Sequence, residues 1–228
     1  MNIDVIIPAL NEAGAVGEVV RAIPRPPVRE VLVIDNGSVD DTARVAAAAG
    51  ARVIREPRRG YGSACLAGIA ALAPNNDVVV FLDADGSDEP ARLPQLVQPI
   101  LDNRADLVIG SRVRDAEPGS LTWPQRTGNA IASRWLRTRF GLPATDLGPF
   151  RAIRRDALAR LAMADRNYGW TVEMQIKAAK RGLRYAEVPV PYYRRVGVSK
   201  VSGTVRGVVG ASIKILGWLA VHDLGRRR

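Results

Sequence analysis

VVVFLDADGSDEP, residues 78–90, decides the fold: it joins an apolar strand to two carboxylates separated by one small residue. Val78 to Leu82 are β-branched or large and apolar, the composition of a strand covered on both faces. Asp83 and Asp85 lie two positions apart, so continued extension would point both to one side, within reach of a shared divalent cation. Ala84 leaves room beside them. Hard oxygen ligands in so short and open a set suit Mg²⁺ or Mn²⁺, with the remaining positions filled by water and the oxygens of a nucleoside diphosphate. The plainer alternative is a strand-to-helix turn, with Asp88 as cap and Pro90 at the first helical position.

Working outward, the same alternation of strand and helix recurs. Ile3 to Ala9 is a first strand, followed by PALNEAG and a helix with Val16, Val19, Val20 and Ile23 on one face. Glu30 to Ile34 is a second strand, DNGSVDD a capping turn, Thr42 to Ala49 a helix, and Ala51 to Arg55 a third strand. RRGYG, residues 58–62, is a flexible basic loop leading into a helix from Ser63 to Leu72. After the acidic strand come a helix carrying Leu93, Leu96, Val97, Ile100 and Leu101, and a fifth strand from Asp106 to Gly110. Four such alternations predict an α/β fold: a mostly parallel sheet with helices on both faces and a ligand at the strands' carboxyl ends. That edge gathers residues 8–12, 35–38 and 83–85 with Ser111 and Arg112. A dinucleotide dehydrogenase would place a Gly-x-Gly-x-x-Gly turn where PALNEAG stands, and a sugar nucleotidyltransferase a glycine-rich, arginine-bearing loop; neither is present.

The 228 residues suffice for one large domain. The net charge of +10 is unevenly spread: residues 1–103 hold 9 Lys+Arg against 14 Asp+Glu, residues 104–228 hold 24 against 9. An acidic half beside a basic one suits phosphates handled by a cation and arginines together, or a basic half lying on an anionic membrane. No homeodomain, zinc-finger or ribonucleoprotein signature accompanies the charge, so nucleic acid is not the expected partner. The single cysteine, Cys65, excludes an internal disulfide and agrees with a reducing cytosol. His222 is the only histidine, which excludes a Ser-His-Asp triad and a multi-histidine metal site. The N-terminus reads as a strand, neither signal peptide nor anchor.

IPALNE, VIDNGSVDDT, RRGYGSA, FLDADGSDEP, IGSR, TDLGPFRAIRR, YGWTVEMQ and RRVGVSKVSGT, in this order, resemble the GT-A glycosyltransferases of family 2, within them the synthases of dolichyl or polyprenyl phosphate mannose and glucose. The resemblance runs over nearly the whole chain. It implies the GT-A fold as a single domain over residues 1–228: a nucleotide-sugar-binding half (1–112), an acceptor half (113–203), and a C-terminal amphipathic helix with a basic tail (204–228). It implies an inverting transfer of glucose or mannose from a UDP- or GDP-hexose to a polyprenyl phosphate, using Mg²⁺ or Mn²⁺. A soluble acceptor such as phosphoglycerate, with retention, is the alternative that IPALNE brings with it.

The resemblance places Pro8, Leu10 and Glu12 near base and ribose, with Ile34, Asp35 and Asn36 at the end of the second strand. Many relatives carry two acids where this chain has Asp35 and Asn36, which leaves uracil against guanine open. Asp83 and Ala84 approach ribose and diphosphate, Asp85 is the principal metal ligand with Asp83 beside it, and Arg112 meets a donor or acceptor phosphate. Arg194 and Lys200 form a phosphate clamp on a loop, residues 192–203, expected to move. Arg126 and Ser199 join Arg112 at the acceptor phosphate, and Asp146 stands where sugar-binding or general-base carboxylates occur, with Glu173 a second candidate. A phosphate acceptor needs no base, since its dianion is already a nucleophile.

Residues 112–124 have the length of a substrate loop, and a helix follows from Thr127 to Phe140. The last helix, Thr204 to Val221, is a poor membrane span with Arg206 and Lys214 on it. Its expected places are the membrane interface, with Trp218 as anchor and residues 226–228 at the headgroups, or packing against the body or a second copy of the chain. The expected location is the cytoplasm, peripherally at the inner face of the membrane.

Overall fold

In the computed structural model, which describes residues 1–197, β1 (Ile3–Ala9) is buried at all seven positions. A strand sealed along its length needs partners on both edges. β2 (Val28–Asp35) lies parallel on one side and β4 (Val78–Phe81) parallel on the other. β3 (Arg52–Arg55) extends the sheet beyond β2, again parallel. On the far side of β4 the pattern breaks: β6 (Arg151–Arg154) runs antiparallel between β4 and β5 (Leu107–Ser111), and β7 (Tyr185–Pro189) closes that side parallel to β5. The result is one seven-stranded sheet in the order β3-β2-β1-β4-β6-β5-β7, crossing the division between the two halves of the chain.

Alternate residues of these strands enter two different cores, as the pleat requires. Val5, Ile7, Val31, Val33, Val78 and Val80 pack with side chains of α1 (Val16–Ala22) and α4 (Leu93–Leu101), against which Val45 of α2 (Thr42–Ala48) also packs. Ile6, Leu32, Ile34, Val79 and Phe81 face the opposite way, toward α3 (Tyr61–Ala70), α6 (Arg155–Leu161) and α7 (Trp170–Lys180). Each buried Val, Leu or Ile contributes about 1.5–3 kcal/mol relative to exposure, so covering both faces makes these strands the stable platform of the molecule. A third, smaller cluster fixes α5 (Trp123–Phe140) to α7 through Ala132, Leu136, Val172 and Ile176. Among the described residues no helix is long and apolar enough to cross a membrane. Ser199, Lys200 and the expected helix from Thr204 to Val221 lie outside the described residues.

Three local expectations change. The α3 helix starts at Tyr61 rather than Ser63, because Gly60 supplies the φ of +135° at its N-cap. Asp88 is no cap: Glu89 stands at the N-cap of the short 3₁₀ turn Pro90–Arg92, and Asp88 forms an antiparallel bridge with Tyr192. The α5 helix begins at Trp123, four residues earlier than expected, on a capping box between Thr122 and Gln125.

Candidate active site

Because β1, β2 and β4 are parallel neighbours, their carboxyl ends open on one edge. The loop after β1 is tied to the turn after β2: Asn11 N–H donates to Ser38 Oγ (2.9 Å), Val39 N–H to Asn11 Oδ1 (2.8 Å) and Glu12 N–H to Thr42 Oγ1 (2.8 Å). Asn11 sits at φ +54°, a left-handed conformation that asparagine tolerates and that turns Leu10 and Glu12 toward the edge. The Asn36 amide is spent on the basic loop, donating to the carbonyls of Glu56 (3.0 Å) and Arg58 (2.8 Å) and accepting from Gly60 N–H (2.8 Å). That loop is then pressed against residues 165–167. A Cβ on Gly60 would stand 2.1 Å from the Arg166 carbonyl oxygen, and one on Gly62 2.0 Å from that of Asp165, so only glycine permits the approach.

These contacts enclose a cavity of about 300 Å³. Pro8 of β1 lines it with Leu10 and Glu12 just beyond that strand, Asn36 just beyond β2, Arg59 and Tyr61 from the basic loop, Asp83, Ala84 and Asp85 from the segment after β4, Asn167 and Tyr168 from the facing loop, and Arg195 from the C-terminal side. β4 ends at Phe81, with one further backbone bond from Leu82 N–H to the Ile6 carbonyl (3.2 Å), and Gly86 at φ +75° bends the chain just after the two acids. Asp83 accepts a hydrogen bond from the Tyr61 hydroxyl (3.0 Å). Asp85 Oδ1 accepts from Ser87 N–H (2.9 Å) and Oγ (2.5 Å), while its Oδ2 lies 3.2 Å from an Arg195 nitrogen. Burial, and then the neighbouring Asp85 charge, push the Asp83 carboxyl up to about 7.

The donor set suits one kind of divalent ion. Two carboxylates share one cavity, the charge of one hinders ionisation of the other, and a guanidinium already neutralises Asp85. Among the described residues no three His, Cys, Asp or Glu side chains form a metal cage. Such a pair fits Mg²⁺ or Mn²⁺, which keep waters and borrow phosphate oxygens, and would not enclose Ca²⁺ or Zn²⁺.

Several expected site residues stand elsewhere. Ile34 is fully buried among Ile6, Phe81 and their neighbours, so its side chain belongs to the core. Asp35 is buried and accepts from Ser38 N–H (2.9 Å), holding the turn. Asp146 does not present a free carboxylate. It takes the backbone N–H and Nε of Arg112 on Oδ2 (both 2.8 Å) and a terminal nitrogen of Arg112 on Oδ1 (2.7 Å). Arg112 in turn lies 4.9 Å from the Tyr192 ring centre. Glu173 is buried and accepts from the N–H groups of Ala164 (2.9 Å) and Asp165 (2.8 Å), with Lys177 at 2.7 Å; it is a scaffold for residues 164–169 rather than a base. Arg126 is exposed on α5 and does not line the cavity. Arg194 is exposed too, held to Glu117 and the Pro118 carbonyl (3.2 Å each), and the arginine inside the cavity is Arg195.

The sequence does not mark Arg59, Tyr61, Asn167 or Tyr168 as site residues, and it offers Arg195 only as one of the cations of the loop at 192–203. Arg59 and Tyr61 stand within RRGYG, where a basic glycine loop after a strand was the available signal. Asn167 and Tyr168 reach the site through the glycine contacts across sequence, which leave no local pattern. Asp88 is a further surprise: it is buried, and neither carboxylate oxygen has a hydrogen-bond partner. Burial and then Asp83 push its carboxyl well above the usual range, favouring the neutral acid.

The model of glycosyl transferase family 2 matches residues 4–162. An uncharacterised glycosyltransferase of Mycobacterium tuberculosis is 45% identical over 91% of this chain and 93% of its own. The undecaprenyl-phosphate mannosyltransferase of Micrococcus luteus is 35% identical over 93% of this chain and 91% of its own. Among solved structures, glucosyl-3-phosphoglycerate synthase from Mycobacterium tuberculosis in complex with Mn²⁺, UDP-glucose and phosphoglyceric acid superposes with a TM-score of 0.80 at 27% identity, covering 97% of this chain and 79% of that one.

Proposed function

The chain belongs to glycosyl transferase family 2, and from that premise we propose that it moves a hexose, with inversion, from a nucleoside diphosphate sugar to a polyprenyl phosphate. The observation that carries this is the cavity itself: an acid pair at the end of β4, faced by Arg59 and Arg195, at the open edge of the sheet. Asp83 and Asp85 would hold Mg²⁺ or Mn²⁺, whose charge assists departure of the diphosphate. Pro8 and Leu10 offer an apolar wall to a base, and Tyr61 orients Asp83 through its hydroxyl. Asp146 holds Arg112 at the end of β5, and Arg112, which is not among the residues that line the cavity, is assigned to the acceptor phosphate beyond it. No carboxylate is required as base, which agrees with Asp146 and Glu173 both being committed to structure.

The polyprenyl phosphate acceptor is supported by the acceptor named for the Micrococcus relative and by the basic second half of the chain. Arg126 on the exposed face of α5, together with Ser199, is assigned to that headgroup, and Lys200 to the donor phosphates. The membrane surface, approached peripherally from the cytoplasmic side, is the implied setting. A second reading, transfer to a small phosphorylated acid, is favoured by the likeness to glucosyl-3-phosphoglycerate synthase.

Labelled UDP- and GDP-hexoses, incubated with Mn²⁺ and either undecaprenyl phosphate or 3-phosphoglycerate, separate the readings. Label extracted into organic solvent only when the lipid is present is the expected result. A water-soluble glycosylated phosphoglycerate selects the second reading, and transfer to neither acceptor removes both.

A further inference from the structure

Residues 192–196 are laid along residues 85–88. Tyr193 N–H donates to the Ser87 carbonyl (2.8 Å), Val196 N–H donates to the Asp85 carbonyl (2.9 Å), and Tyr192 bridges Asp88. This pairing separates two adjacent arginines, as an extended chain sends neighbours to opposite sides. The Arg194 side chain turns out to the Pro118 carbonyl, and Arg195 turns in. The inward guanidinium lies 2.6 Å from a Glu12 oxygen and 3.2 Å from Asp85 Oδ2, while its buried Nε has no acceptor. One cation thus joins carboxylates from two strand ends, one of them assigned above to a metal, and keeps a donor in hand.

We propose that Arg195 is a diphosphate-binding residue of the donor site, held through a terminal nitrogen against Asp85 until a divalent cation displaces it there and frees that nitrogen for the donor's phosphates. The inference rests on the cavity being a nucleotide-sugar site. A doubly charged ion and a guanidinium cannot comfortably share Asp85, and the ion has the stronger attraction to a hard carboxylate oxygen. Glu12 does not line up with the acid pair after β4 but follows β1, so it can keep one side of the guanidinium while Asp85 lets go. Release from Asp85 frees Nη1, away from the unpaired Nε, so the guanidinium offers phosphate oxygens donors on two edges of one plane, an arrangement that a lysine cannot reproduce. Arg195 in this role competes with the metal when the metal comes alone and cooperates with it when diphosphate comes too.

The test uses the full chain, with Arg195→Gln and Arg195→Lys checked for folding by thermal melting. Binding is measured by calorimetry for Mn²⁺ alone, then for UDP and GDP in saturating Mn²⁺. Arg195→Gln is expected to bind Mn²⁺ alone several-fold more tightly, its competitor gone, yet to bind the nucleoside diphosphate about tenfold or more weakly, the loss of a charge-assisted hydrogen bond. Arg195→Lys should leave Mn²⁺ alone near wild type and still weaken the nucleotide. If Arg195→Gln leaves both affinities unchanged, or weakens both alike, Arg195 is a strut and the inference falls while wild-type nucleotide binding keeps the functional reading. A wild-type protein that binds neither nucleotide with Mn²⁺ overturns both.

Discussion

Arg112 and Asp146 meet fork to fork, with Nε on one carboxylate oxygen at 2.8 Å and a terminal nitrogen on the other at 2.7 Å, where their side chains are only 12% and 1% exposed. Burial alone would push the Asp146 carboxyl up, but the Arg112 guanidinium and the hydrogen bonds it donates more than offset this and hold it below the usual range. A depressed folded pKa contributes stability above the unfolded value, near pH 4, that is lost as pH falls through the folded one. Asp146→Asn should therefore cost about 3–5 kcal/mol at neutral pH, a fall in Tm on the order of 10 °C, because it leaves a buried cation unpaired. Calorimetric melts from pH 3 to 8 check this (~5 pH units spanning the carboxylate range). An asparagine variant that melts like wild type would show that the pair carries no structural load.

Asp83 makes a different pH prediction. Burial and Asp85 hold its carboxyl at about 7, whereas an unfolded aspartate ionises near pH 4. Its contribution to stability is thus fully present below about pH 4 and is lost as pH rises toward 7. Metal binding runs the other way, since the ligand must be ionised. Mn²⁺ affinity should fall by up to about tenfold per pH unit below 7 and level off above it, and Asp83→Asn should be weak and flat throughout. Titrations at several pH values decide; a wild-type affinity independent of pH would remove Asp83 from the metal site.

Glu173 accepts two backbone N–H groups and Lys177 at once. In Glu173→Gln the amide nitrogen would face one of those donors, with an expected loss of about 1–3 kcal/mol. The loop it supports carries Asn167 and Tyr168, so KM for the donor should rise. The pH dependence of kcat should keep its shape, whereas removal of a general base would abolish one limb of it.

Two kinds of glycine can be told apart by alanine. Gly62→Ala would force a Cβ to within 2.0 Å of the Asp165 carbonyl oxygen, separating the loops that enclose the cavity and costing about 1–3 kcal/mol. Gly128, inside α5, has nothing within 4 Å of the point where an alanine methyl would stand, so Gly128→Ala should stabilise by about 0.5–1 kcal/mol through helix propensity alone. Chemical denaturation of the pair checks both signs.

The first five strands were legible because each is a short β-branched run bounded by turn residues, and the Asp83–Asp85 pair was legible because it ends such a run. The direction of β6 was not. Residues 151–154 read as a strand either way, and only pairing with Val78–Phe81 and Leu107–Ile109 sets them antiparallel. The α6 helix and β7 went unseen: seven residues of RDALARL are too few for a clear period, and YAEVP ends in a proline that suits only a sheet's edge. Which of Arg194 and Arg195 faces the acids depends on register alone, and register lies in the bonds from Tyr193 to Ser87 and from Val196 to Asp85.

The place of β6 between β4 and β5 also governs the order in which the chain can be assembled during synthesis. As the polypeptide emerges, residues 78–81 find β1 already made on one edge, but the other edge stays bare until residue 154 has left the ribosome. β5 waits longer still, since both of its neighbours are translated after it. A bare apolar strand edge invites pairing with other nascent chains, so the interval between these segments is when this side of the sheet is open to aggregation. The acidic strand tip is thus locked into place from behind, by a segment encoded downstream that contributes no acid to it.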